Sequence, residues 1–102
     1  MEIKRIRKLK INAFEFKVIW DKSLRGASVD CIKREIRIGT KNADTTEIFE
    51  RICHELWEIG AMDMGVRLSR PDCDSDYIFV YDHRQHDTMC NMVAGWLAQF
   101  IK

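Results

Sequence analysis

From Asp44 to Gly65 the chain carries one uninterrupted helical repeat with a signal at each end. A helix of that length has to be covered along its apolar stripe by the rest of a small protein. Ile48, Phe49, Ile52, Leu56, Ile59 and Gly60 recur at helical spacing. Asp44 is placed to accept hydrogen bonds from the first-turn amides, and Glu47 completes an Asp-x-x-Glu form of the capping box. The pattern predicts a helix to about Met64, with Gly65 as the cap beyond its end.

The flanking segments read differently. Ile3, Ile6, Leu9 and Ile11 alternate loosely among Lys4, Arg5, Arg7, Lys8 and Lys10, then lead into Phe14–Trp20, where Phe14, Phe16 and Val18 keep period two. That is a strand signal, followed by a loop over Asp21–Gly26. Ala27–Ile32 and Ile36–Gly39, separated by Lys33, Arg34 and Glu35, predict a hairpin, although its turn lacks Asn-Gly or Asp-Gly. Arg67 to Asp76 reads as a polar loop and Tyr77–Tyr81 as a strand. Asp82 or Asp87 caps a last helix, along which Met89, Met92, Val93, Trp96, Leu97, Phe100 and Ile101 repeat at three and four. The expected order is β-β-β-α-β-α. This is an α+β fold, a small antiparallel-type sheet with one central helix and a carboxy-terminal amphipathic helix, forming a single domain over residues 1–102.

Bulk properties exclude several classes. With 102 residues there is room for one core. A net charge of +1 gives no whole-molecule field directed at DNA, a membrane or an acidic substrate. No stretch approaches the roughly eighteen apolar residues of a membrane span. Met1 to Arg5 lacks the long apolar core of a signal peptide, so a cytoplasmic location is expected. Cys31, Cys53, Cys73 and Cys90 are dispersed without a Cys-x-x-Cys pair and are expected to be free thiols, two or three of them buried. The basic run from Lys4 to Lys10 fits a solvated edge strand better than a phosphate-binding surface, which argues against a nucleic-acid partner. Asp72-Cys73-Asp74-Ser75-Asp76 opens like a calcium loop but has Tyr77 where glycine is needed and His83 where glutamate is needed.

The chemistry sits in Arg51-Ile52-Cys53-His54-Glu55-Leu56-Trp57-Glu58. Positions four apart share a helix face, so His54 and Glu58 are placed to hold one metal ion, with Glu55 beside them as a general base activating a metal-bound water. Zinc accepts imidazole and carboxylate, and a catalytic site uses three protein ligands. His83 is the favoured third ligand because it directly follows the last strand and Asp82; His86 is the alternative. Binding by both would fill the site and indicate a structural metal. Against this stands a simpler arrangement. On the helical wheel His54 and Glu58 lie opposite Ile48, Ile52, Leu56 and Ile59, so that Arg51 with Glu55, and His54 with Glu58, form i,i+4 pairs on a solvated face. Trp57, Ala61 and Met62 also fall outside the main apolar stripe, which predicts a second covering element and a cleft over His54 and Glu58. Arg51 is either an oxyanion stabiliser or a surface ion-pair partner.

The arrangement Gly26…Asp30…Glu35-Ile36-Arg37-Ile38, then Glu47…Ile52 to Glu58, resembles a small zincin. It is similar in particular to short phage-encoded metallopeptidase-like proteins, in which a short sheet precedes the His-Glu-x-x-(His or Glu) helix. The resemblance implies Zn2+ as cofactor, His54 as ligand, Glu55 as base, Glu58 in the place of the second ligand, and a peptide or protein as substrate, in the host cytoplasm if the chain is phage-encoded. Glu58 departs from the histidine of the usual motif. A carboxylate ligand makes the metal-bound water less acidic, so a non-catalytic binding protein on the same scaffold, of the phage accessory or anti-defence type and acting on a protein or nucleic-acid partner, is the second expectation.

Overall fold

The computed structural model describes residues 2–70 and 73–102, with backbone alone for 68–70 and 73–78. Of the calcium-loop comparison at Asp72–Asp76, Asp72 therefore lies outside the described residues and the rest is described by its backbone alone. Eight elements follow in the order β1 (Lys8–Ile11), β2 (Phe14–Asp21), β3 (Ala27–Asp30), β4 (Glu35–Gly39), α1 (Thr45–Asp63), β5 (Arg67–Arg70), β6 (Cys73–Phe79) and α2 (His83–Ala98). The fold is α+β, as the alternation of patterns implies. Two strands separate it from the expected order. The first predicted strand is a hairpin, broken at Asn12, whose φ of 55° is tolerated by asparagine. The predicted polar loop at Arg67–Asp76 contains β5, which pairs antiparallel with β6 in a two-stranded ribbon.

The main sheet has the order β1-β2-β4-β3. β1–β2 and β3–β4 are antiparallel hairpins, but β2 and β4 run parallel, with Val18 opposite Ile36 and Trp20 opposite Ile38. The sheet is thus mixed, correcting the antiparallel expectation. The chain leaves β2, crosses the end of β4, and returns as β3 on the outside. That crossing is close enough that a Cβ on Gly39 would collide with the carbonyl oxygens of Leu24 and Gly26. Hydrogen bonds from Gly39 N–H to the Gly26 carbonyl (2.7 Å) and from Thr40 N–H to the Asp21 carbonyl (2.9 Å) hold it there.

Both helices cover one face of this sheet. Leu9, Ile11, Phe16, Val18, Ile36 and Ile38 alternate inward and meet Ile48, Ile52, Leu56 and Ile59 of α1 and Val93 and Trp96 of α2, with Phe100 beyond the end of α2. The helix ends follow the sequence signals. The Asp44 carboxylate accepts from Glu47 N–H at 2.8 Å, and Gly65 takes φ 69° after the last turn, where Val66 N–H reaches back to the Ala61 carbonyl at 2.9 Å. Asp82, not Asp87, caps α2 through a reciprocal pair with Gln85, both bonds 2.9 Å.

The two sheet edges differ. At β1 the Gln99 side chain accepts from Lys10 N–H (2.9 Å) and donates to the Lys10 carbonyl (2.8 Å), while Lys8 and Lys10 project into solvent. That is the charged, covered edge expected of the basic run. β3 is the other edge, and it lies alongside α1. Among the described residues no helix is long and apolar enough to cross a membrane.

Candidate metal site on the central helix

α1 places His54, Glu55 and Glu58 on the side that turns toward β3. One donor atom from each lies within 4.8 Å of the others, and among the described residues they are the group of three such side chains able to hold an ion. His54 Nε2 is 3.6 Å from Glu58 Oε1. Tetrahedral zinc with nitrogen and oxygen ligands sets those atoms roughly 3.4 Å apart, so the pair stands close to ligand spacing.

The three side chains sit in different environments. His54 is two-thirds exposed, whereas Glu58 is mostly covered. Glu55 is 4% exposed, the one buried charged residue of the described chain. Burial pushes the Glu55 carboxyl up from its ordinary value; the Glu58 charge adds to this, while His54 and Arg67 act in the opposite direction. Glu58 is shared: Oε1 faces His54, and Oε2 lies 3.9 Å from Arg67 Nη1. Arg67 opens β5, in the segment read from sequence as a polar loop, and no sequence signal tied it to α1.

The site has the expected cleft. A cavity of about 390 Å³ lies between α1 and β3, lined by Ala27, Ser28, Val29 and Cys31 on one side and by His54, Glu55, Glu58 and Met62 on the other, with Arg67 at its rim. It adjoins a second hollow of about 290 Å³ at Gly26, Glu50 and Arg51. The covering element over Trp57 is the first turn of α2, where His86 stacks on the indole at 6.1 Å.

The other candidates fall elsewhere. Arg51 donates to the Gly39 carbonyl at 2.8 Å, tying α1 to the end of β4. Arg51 also lines the hollow beside His54 and Glu55. His83 is exposed on α2, with Nδ1 3.5 Å from Asp87 Oδ2. His86 stacks with Trp57 and with Tyr81, its Nε2 3.6 Å from Cys90 Sγ. Neither histidine belongs to the group formed by His54, Glu55 and Glu58. Of the described cysteines, Cys31 and Cys53 are half-buried, Cys90 is exposed, and all three are unbonded.

His54, Glu55 and Glu58 therefore form a compact acidic donor set in an open cleft beside a sheet edge. No family model, curated protein or solved structure matches this chain.

Proposed function

We propose that this chain is a small zincin-like, zinc-dependent metallohydrolase acting on peptides, with His54 and Glu58 as ligands and Glu55 as the base. The observation that carries the reading is the convergence of three donor atoms within 4.8 Å at the floor of a cleft. The ligands fit the ion in kind: imidazole and carboxylate suit zinc, with manganese as the nearest competitor. Bound zinc would supply Lewis acidity, polarising a carbonyl and lowering the pKa of a water.

The remaining work falls to the chain's own groups. Glu55 is buried and its pKa is raised, which brings a carboxylate closer to the operating range of a proton acceptor. Arg67 offsets the charge of Glu58, the residue that stands where a neutral histidine is usual. β3 is a sheet edge and lines the cleft with Ala27, Ser28 and Val29; edge strands are what extended peptides pair with, which favours a peptide over a compact small molecule. His83 and His86 join the ligand set only by leaving Asp87 and the aromatic stack, so the reading does not depend on them.

A second reading, a binding protein without turnover, is favoured by one observation. His54 and Glu58 are an i,i+4 pair with His54 largely in solvent, and Glu58 already has a cation in Arg67. The deciding experiment is the metal content of protein purified without a His tag or chelator, wild type beside His54→Ala. About one zinc per chain at this site, absent from the variant, supports the metallohydrolase. Equal metal in both proteins, or none in either with no thermal response to added zinc, sinks it. Given metal, Glu55→Gln should keep the zinc and lose peptide cleavage by about 10²–10⁴-fold.

A further inference from the structure

Four residues with metal-ligating side chains, His83, His86, Asp87 and Cys90, lie along one stripe of α2, away from the cleft just described. Two of them are already paired in a way that suits a cation. His86 Nε2 and Cys90 Sγ are 3.6 Å apart. With zinc–nitrogen bonds of about 2.0–2.1 Å and zinc–sulfur bonds of about 2.3 Å, tetrahedral coordination sets these atoms about 3.5 Å apart. The donors need almost no movement to share an ion.

The imidazole is also held in place. Its ring lies nearly parallel to those of Trp57 (16°) and Tyr81 (10°), with centroids at 6.1 and 5.7 Å. Nδ1 is buried and has no hydrogen-bond partner, so the polar chemistry of the ring is directed through Nε2 toward Cys90. Cys90 is exposed, so an ion reaches the pair from solvent without opening the core. His83 is one turn earlier, its ring 6.5 Å from that of His86, and at 88% side-chain exposure it is able to swing toward the pair.

We propose that His86 and Cys90 form a second cation site, independent of His54, Glu55 and Glu58, that takes a thiophilic divalent ion of the zinc class. The chemistry of the donors selects the ion. Thiolate with imidazole suits zinc and cobalt and disfavours magnesium, calcium and manganese. Binding is a proton-for-metal exchange: the Cys90 S–H bond breaks, its proton passes to solvent, and the sulfur lone pair forms the bond to the metal, with no change of oxidation state. Water completes the coordination shell, or His83 contributes a third protein ligand.

The test is a cobalt(II) titration of the reduced full-length chain, read in the near-ultraviolet where thiolate-to-cobalt charge transfer absorbs. The donor set on α1 contains no sulfur but Cys31 lines its cleft, so the band reports a cysteine ligand and its loss in Cys90→Ser assigns it to α2. The band should appear in the wild type, persist in His54→Ala, and vanish in Cys90→Ser, a surface substitution that leaves the fold intact. His86→Phe, which keeps an aromatic ring in the stack, should abolish it as well. Zinc should protect Cys90 from alkylation in the wild type and not in His86→Phe. No band in the wild type, or a band that survives Cys90→Ser, overturns the proposal and leaves the 3.6 Å contact as a thiol–imidazole hydrogen bond.

Discussion

Zinc should raise the melting temperature of this protein substantially, and the rise should depend on His54. The donors converge only in the folded chain, because His54 and Glu58 are brought together by one turn of α1 and Glu55 is held beside them by burial. A ligand that binds the folded state alone stabilises it by about 2.7 kcal/mol when free ligand is one hundred times its Kd. For a domain of this size each kcal/mol shifts Tm by about 4–8 °C. The product is a rise of about 10–20 °C. The measurement is a circular-dichroism melt with and without zinc at fixed free concentration, in a Cys90→Ser background so that the pair on α2 adds nothing. His54→Ala should lose most of the shift, and Glu58→Gln should reduce it. The shift should also shrink as pH falls, because the imidazole and carboxylate ligands must be deprotonated to bind. An equal shift in His54→Ala, or no shift in the parent at saturating zinc, refutes the site.

Three further outcomes follow from the same geometry. The raised pKa of Glu55 contributes stability that is fully present below the ordinary value of 4.5 and lost as pH rises through the folded value, so metal-free Glu55→Gln should melt above the wild type near pH 7 and converge with it near pH 4. Gly39→Ala forces a methyl into the carbonyls of Leu24 and Gly26 and should cost about 3 kcal/mol in urea unfolding, whereas Gly60→Ala meets Trp96 and Val93 at an ordinary 3.6 Å and should gain about 0.5–1 kcal/mol from helix propensity. Asp82→Ala removes the cap of α2 and should cost about 1 kcal/mol by the same assay, with faster amide exchange confined to the first turn around His83 and His86.

What the sequence disclosed divides along a physical line. α1 and α2 were legible because their information is local: apolar spacing, Asp44 with Glu47, the Asp82 cap and Gly65 all act within a turn or two of their own positions. The turn at Asn12 was hidden because Asn-Ala carries a weaker hairpin signal than Asn-Gly. β5 was hidden because Arg67-Leu68-Ser69-Arg70 has no alternation of its own; its strand character comes from pairing with β6. The parallel pairing of β2 with β4 depends on where the Asp21–Gly26 crossing lands, and only Gly39, on a strand otherwise apolar and charged, hints that a second backbone passes there. At the site, His54, Glu55 and Glu58 are neighbours in sequence and were found together. Arg67 and the β3 wall reach them through tertiary structure and were not foreseen.

The substitution of Glu58 for a second histidine bears on which metal each end of the protein selects. The ligand pair of one imidazole and one carboxylate carries one negative charge, where the two histidines of the usual motif carry none. On its own it would drift toward harder cations such as manganese or magnesium. Arg67, 3.9 Å from the far oxygen of Glu58, offsets part of that charge while the carboxylate stays at the second position. Arg67 thereby favours zinc at this site over the harder cations. Replacing Arg67 with methionine should move the preference of the α1 site toward manganese, measured by competition against zinc. The imidazole–thiolate pair on α2 has no comparable freedom, because sulfur excludes the hard cations whatever surrounds it.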